Sequence, residues 1–203
     1  ASMMRAAGKS ITGYHNKSYM WHKPVYIYSN GSLLLTGNSY ICSMKILMVC
    51  LGNICRSPLA EGILQEKANK AGLNWIVESA GTNGFHTGEQ PHHLSRKVAL
   101  MNGIDISNQV ACRFTKNDFS RYDRIYAMAN DVLRDMKKIA AEQFDQSKVD
   151  LLMNESHPSK NLDVPDPWSG PESGHHKVFE MISTACDSII AKHMANQKQP
   201  VNS

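Results

Sequence analysis

No stretch of this 203-residue chain approaches the roughly 18–20 consecutive apolar residues that a membrane-spanning helix requires. The start has no basic segment followed by a short apolar core, so no secretory signal is visible there. There are five cysteines. An odd, unevenly spaced set in a chain long enough to bury a real core argues against a disulfide scaffold and for a reducing, cytoplasmic setting. No pair of His or Cys recurs at zinc spacing, so no metal is expected. Repeats, low-complexity tracts and a basic cluster are all lacking, and with the last of these goes the usual signature of nucleic-acid binding. What remains is a foldable composition, 42% hydrophobic and 20% charged, of the size of one ordinary domain plus an appendage.

Acidic residues are missing altogether from residues 1–43, which carry Arg5, Lys9, Lys17 and Lys23. The other 18 basic residues balance the 18 acidic ones, so the whole net charge of +4 sits in this N-terminal fifth. The seam predicts an N-terminal extension over 1–43, a self-balanced domain over 44–196 and a short tail over 197–203. Residues 24–41 read as a hairpin, with Val25–Tyr28 and Leu33–Thr36 about Asn30-Gly31.

From Met44 onward, strand-like and helix-like segments alternate. Ile46–Cys50 is a short continuous apolar run, as in a central parallel strand covered on both faces. Ser57-Pro58 reads as a helix start with Ser as cap, and Leu59, Ile63, Leu64 and Ala68 recur at helical spacing before Gly72. Further strands are expected at Trp75–Val77, Ile125–Met128 and Val149–Leu152. Helices are expected after Pro91, over Val132–Phe144 and along Val178, Ile182, Ala185 and Ile189. This alternation predicts an α/β fold: a four-stranded parallel sheet with helices on both faces, a flavodoxin- or Rossmann-like three-layer arrangement. Ligands in such sheets bind beyond the carboxyl ends of the strands, and the first strand ends at Cys50.

The chemistry lies in Cys50-Leu51-Gly52-Asn53-Ile54-Cys55-Arg56-Ser57-Pro58. A strand delivers a cysteine, a short loop follows, and a helix begins. Loop amides and a helix N-terminus converge on an anion. Gly52 lets the backbone approach it, and Arg56 adds a planar fork suited to two phosphate oxygens. The same positive field favours a thiolate at Cys50. A thiolate centred in a phosphate cradle is a phosphoryl-transfer site. Cys-x5-Arg alone is a weak pattern, and its strand-before, helix-after context gives it force.

With these residues in view, 44–196 resembles a low-molecular-weight protein tyrosine phosphatase. The likeness extends through Ser79-Ala80-Gly81-Thr82, Gly103-Ile104-Asp105, Phe114-Thr115-Lys116-Asn117-Asp118-Phe119 and Asp163-Val164-Pro165-Asp166-Pro167-Trp168. It implies hydrolysis of phosphotyrosine in proteins through a cysteinyl-phosphate intermediate, without a cofactor. Cys50 would be the nucleophile, Arg56 the clamp on the phosphoryl group and Asp166 the general acid and then base. Leu51, Gly52, Asn53, Ile54, Cys55 and Ser57 would complete the phosphate-binding loop, with Ser57 hydrogen-bonded to the Cys50 sulfur and Asn53 bracing the backbone. Leu51, Phe85 and Trp168 would wall the aryl slot.

Two departures stand out. Relatives often carry two aromatics after Asp-Pro, where this chain has Trp168-Ser169. Animal members place a His after Gly-Ile-x-x-Ser to support the loop, and here Ser107 is followed by Asn108-Gln109. Three alternatives stay open. Arsenate reductases share the loop but need two further downstream cysteines, and Cys112 has no near partner. Protein arginine phosphatases carry Thr where this chain has Ile54. A binding module that holds phosphotyrosine without turnover would not need Cys50, Arg56 and Asp166 together. Cys55, five residues from Cys50, reads as a redox partner that could shield it from over-oxidation. Cys112 and Cys186 read as buried or idle thiols, and His92-His93 and His175-His176 as solvated helix ends. The oligomeric state is not legible.

Overall fold

The computed structural model describes residues 43–197 and the backbone of two short strands further upstream. The chain separates into two units, Ala1–Tyr40 and Ile41–Ser203, a break a few residues before the charge seam at Met44. In the first unit, β1 (Ile27–Ser29) pairs antiparallel with β2 (Ser32–Leu34), Ser29 facing Ser32 across two residues. This ladder is shorter than the expected strands. The remainder of 24–41, like 198–203 of the tail, lies outside the described residues.

The second unit is built on β3 (Lys45–Cys50), β4 (Ile76–Gly81), β5 (Arg124–Ala127) and β6 (Val149–Leu151). All neighbours are parallel, in the order β4-β3-β5-β6. The helices are α1 (Arg56–Lys70), α2 (His93–Met101), the single turn α3 (Asp118–Arg121), α4 (Asn130–Ala140) and α5 (Glu172–Gln197). Single 3-10 turns occupy Ala141–Gln143 and Leu152–Glu155.

Side chains of β3 alternate between two cores, as pleating requires. Ile46, Met48 and Cys50 enter one with Leu59, Ile63 and Leu64 of α1, Val98 of α2, and Val178, Ile182 and Ile189 of α5. Leu47 and Val49 enter the other with Phe114, Phe119, Val132 and Met136. Both faces are therefore covered, which is why β3 is apolar from Ile46 to Cys50 rather than alternating. The chain runs from β3 to β4 on one side, then crosses to β5 on the other. Cys50 thus ends the strand at which the order reverses, where open α/β sheets leave a crevice.

The strand boundaries shift from the sequence reading mostly at their ends. The second strand runs on to Gly81 instead of stopping at Val77. The fourth helix starts at Asn130 and tightens into a 3-10 turn after Ala140. Met101, the last residue of α2, is exposed.

Candidate active site

The loop that follows β3 is held open by its own side chains. Asn53 sits at φ 57°, a left-handed conformation that Asn tolerates better than most residues. Its amide nitrogen donates to Ser57 Oγ at 2.9 Å and Ser79 Oγ at 2.8 Å, while its Oδ1 accepts from the Cys112 backbone at 2.8 Å. Ser79 in turn donates to Glu61 at 2.6 Å. Asn53 thereby ties the loop to α1, to β4 and to the segment after Ser107. Gln109 makes none of these contacts with the loop, so the bracing runs through Asn53, Ser79 and the Cys112 backbone.

The Cys50 sulfur accepts from Asn53 N at 3.2 Å and from Ser57 Oγ at 3.0 Å. The latter corrects the expected helix start. Helix α1 opens at Arg56, its N-cap position Cys55 makes no side-chain cap bond, and Ser57 turns its hydroxyl to Cys50 instead of to the orphan amides. Pro58 is tolerated because it stands in the first turn, where N–H groups have no intrahelical partner.

Gly81 at the end of β4 is forced by the loop. A Cβ there would lie 2.9 Å from the Leu51 carbonyl oxygen, 3.0 Å from Asn53 N and 3.0 Å from Gly52 C. Backbone bonds from Thr82 N to Cys50 O and from Asn83 N to Leu51 O, both 2.9 Å, carry the parallel pairing into the loop itself.

Asp166 arrives from the far end of the chain. Val164 N bonds the Met128 carbonyl at 2.8 Å, which anchors the Pro-rich segment beyond β5. Arg56, 4% exposed, then donates to the Val164 carbonyl at 3.2 Å and to Asp166 Oδ2 at 2.6 Å. Asp166 Oδ1 accepts the Trp168 N–H at 3.1 Å, which fixes the turn between them. The guanidinium is buried, the carboxylate half exposed. An incoming phosphate would compete with Asp166 for Arg56 and leave the carboxyl group free to exchange a proton.

These residues line a pocket of about 230 Å³ formed by Cys50, Leu51, Gly52, Ile54, Cys55, Arg56, Asn83, His86, Asp166, Trp168 and Ser169. Phe85 is not among them. It is 86% exposed, and its expected place in the slot is corrected. Thr87 closes a turn on the Gly84 carbonyl through both its N–H and its hydroxyl. That turn sends Phe85 outward and brings His86 to the wall, with Cδ2 3.1 Å from where a Gly52 Cβ would stand. Glu89 holds His86 Nδ1 at 2.9 Å. Asn83 and His86 carried no recognisable signal in the sequence, because only the turn geometry decides which of 83–87 faces inward.

Behind the loop, Cys55 is buried. Burial above all pushes its thiol up to about 12. The described cysteines Cys50, Cys55, Cys112 and Cys186 are all free. Cys186 is buried as read, but Cys112 is exposed. His175 is the larger surprise: it is fully buried rather than solvated. Its Nδ1 lies 3.0 Å from Ser95 Oγ, and its ring stacks on His92. Among the described residues, no group of three or more His, Cys, Asp or Glu is placed to hold a metal ion. No described helix is long and apolar enough to cross a membrane.

This geometry agrees with three comparisons. Residues 45–200 match the family model of the low molecular weight phosphotyrosine protein phosphatases. A low molecular weight protein-tyrosine-phosphatase of Streptomyces coelicolor is 35% identical, over 72% of this chain and 92% of that protein. Among solved structures, an Entamoeba histolytica protein tyrosine phosphatase with Hepes in its active site superposes with a TM-score of 0.70. It is 34% identical, over 76% of this chain and 99% of the other. A Drosophila arginine phosphatase superposes with a TM-score of 0.68 at 28% identity, covering 74% and 98%. The cysteine that closes β3, the arginine that opens α1 and the late Asp-Pro therefore lie in a chain that belongs to the low molecular weight phosphotyrosine protein phosphatase family.

Proposed function

We propose that this chain hydrolyses phosphotyrosine in proteins, and aryl phosphates generally, through a phosphorylated Cys50. The observation that carries the proposal is the paired donation of Asn53 N–H and Ser57 O–H to the Cys50 sulfur beside a buried Arg56. Two donors on one sulfur fix its position at the centre of the loop. Sulfur attacks phosphorus in line, the phosphorus–oxygen bond to the tyrosine breaks, and the leaving phenolate takes a proton from Asp166. Water then attacks the cysteinyl phosphate and gives a proton to Asp166, releasing inorganic phosphate. Arg56 and the loop amides hold the equatorial oxygens throughout, where charge stabilisation by fixed donors acts best. Tyrosine suits the walls, because Leu51, Ile54 and Trp168 of the pocket lining are apolar. The domain responsible is 44–196, with 1–43 an appendage that adds no catalytic group.

Phosphoarginine is the competing substrate, favoured by the likeness to the Drosophila enzyme. A guanidinium phosphate would want acidic partners in the slot. The sole carboxylate lining the pocket among the described residues is Asp166, already paired with Arg56. Turnover of phosphotyrosine, phosphoarginine and phosphoserine peptides side by side tests the assignment. Phosphotyrosine should be fastest, and a faster rate on phosphoarginine overturns it.

A further inference from the structure

Asp166 is held from two sides. Upstream, Val164 N donates to the Met128 carbonyl at 2.8 Å, and the Val164 carbonyl accepts from Arg56 at 3.2 Å. Downstream, the chain folds directly into α5. Gly170 N donates to the Pro167 carbonyl and Gly174 N to the Pro171 carbonyl, both at 2.9 Å. A Cβ on Gly174 would stand 3.8 Å from Pro167 Cβ, so the first turn of α5 packs on the residue after Asp166. That turn ends in His175, which is fully buried. Its Nδ1 lies 3.0 Å from Oγ of Ser95 in α2, also fully buried. Its ring stacks on His92, the N-cap of α2, with centroids 5.2 Å apart and planes 9° from parallel. His92 N donates in turn to the Ile54 carbonyl at 2.7 Å. The start of α2 thus joins the segment that carries Asp166 to the phosphate loop, along a route that does not pass through Arg56.

Packing alone does not call for an imidazole at this place. The His175 Nε2 is buried without a hydrogen-bond partner among the described residues, and burying a polar atom unpaired costs free energy. An apolar ring would fill the α2–α5 contact without that cost. What the imidazole adds is a directed contact to Ser95. The catalytic cycle has a use for one. The direct link between the two loops is the Arg56–Asp166 pair at 2.6 Å, and it is the link for which an incoming phosphate competes. Once Arg56 turns to phosphate, Asp166 must still stand at the leaving oxygen, where a misplacement of about 1 Å can cost 10²-fold.

We propose that His175 is a positioning residue for Asp166: through Ser95 and His92 it anchors the downstream end of the acid loop, so that Asp166 stays at the leaving oxygen when phosphate takes Arg56. This rests on the reading of Asp166 as general acid in the hydrolysis above. His175 itself touches no substrate. Burial first, then His92 and His93 of α2, hold its imidazole below its ordinary range, while Asp166 and Glu172 act the other way. The anchor is therefore neutral near pH 7 and does not replace Arg56 as a charged partner of the Asp166 carboxylate. Lys97 of α2 also pairs with Glu172 of α5 at 2.7 Å, but that link is more exposed and correspondingly weaker.

The test uses the full chain as wild type, His175→Phe, His175→Asn, Ser95→Ala, Asp166→Asn and the double variant His175→Phe with Asp166→Asn. For each, kcat/KM is measured across aryl phosphates from nitro-substituted phenols to phenol itself, and vanadate affinity by calorimetry. General acid help is typically worth about 10²–10⁴-fold, and a misplaced acid forfeits part of it. In His175→Phe and Ser95→Ala, kcat/KM should fall at least about tenfold for phenyl phosphate and less than about threefold for the nitrophenyl ester, with vanadate affinity unchanged. His175→Asn, whose amide reaches the Nδ1 position, should recover most of that loss. In the Asp166→Asn background His175→Phe should cost nothing further, because a residue that acts through Asp166 has nothing left to position. A uniform fall across the series, or the same fall in the Asp166→Asn background, overturns the positioning role and leaves a packing one. So does a wild-type series in both His175→Phe and Ser95→Ala. Ser95→Ala leaves the ring in place, so it carries the test if His175→Phe does not fold. Equal losses across the series in Asp166→Asn alone refute the general-acid reading instead, so the two failures are distinct.

Discussion

Replacing Gly81 by alanine tests whether the close approach of β4 to the phosphate loop sets the catalytic geometry. The added Cβ would stand 2.9 Å from the Leu51 carbonyl oxygen, about 0.5 Å inside the 3.4 Å at which ordinary contact begins, and nearly as close to Asn53 N and Gly52 C. All three are backbone atoms, so no rotamer change relieves the overlap and the loop itself must move by roughly half an ångström. Misplacing reacting groups by about 1 Å can cost 10²-fold. A ten- to hundredfold fall in kcat, about 1.4–2.7 kcal/mol of barrier, is therefore expected, with a parallel loss of vanadate affinity. Overpacking also destabilises by about 1–3 kcal/mol, or about 2–4 °C in Tm for each kcal/mol at this size. Gly62→Ala separates the two effects. Its Cβ would lie 2.5 Å from Ile106 Cγ2, a side-chain methyl away from the loop, so Tm should fall while turnover per folded molecule stays near wild type. Steady-state kinetics on an aryl phosphate and thermal melts read both variants. A Gly81→Ala enzyme within twofold of wild type in kcat would refute the reasoning, because it would show that the loop accommodates β4 without losing its geometry.

Four further outcomes are expected. Cys50→Ser should abolish turnover yet keep measurable vanadate binding, since Arg56 and the loop amides remain; calorimetric titration checks this. Asp166→Asn should slow aryl phosphates by about 10²–10⁴-fold, least for the best leaving groups, and equal losses across a leaving-group series would remove Asp166 from the acid role. A chain beginning at Met44 should keep most of its activity per folded molecule, and one that is folded but tenfold slower would show that 1–43 reaches the site. Burial lowers the His92 and His175 titrations from 6.5, so the unfolded chain takes up protons first as pH falls. Stability present above about pH 6.5 should then be lost progressively below it, and His175→Gln should flatten that decline in urea melts read across pH.

Much of this protein was legible before any fold was known, because its determinants are local. The apolar run Ile46–Cys50, the loop from Cys50 to Ser57 and the late Asp166-Pro167 are contiguous patterns whose chemistry follows from residue type and spacing. The alternation of strand and helix periods was enough to define a parallel, three-layer sheet. What the sequence could not determine depends on atoms brought together from distant segments. Phe85 and His86 are adjacent, and a single turn closed by Thr87 chooses which one meets the pocket. Ser57 has the residue type of a helix cap and, by the family resemblance, of a partner for the Cys50 sulfur; the fold gives its hydroxyl to the sulfur. Arg56 and Asp166 lie 110 residues apart and pair only because β5 delivers Val164 to the loop. His175 looked like a polar helix end, and packing of α5 on α2 buried it against Ser95. Local pattern therefore determined the elements and singled out the cysteine proposed as nucleophile. Long-range packing decided the walls of the pocket, the bracing of the loop and the burial of His175.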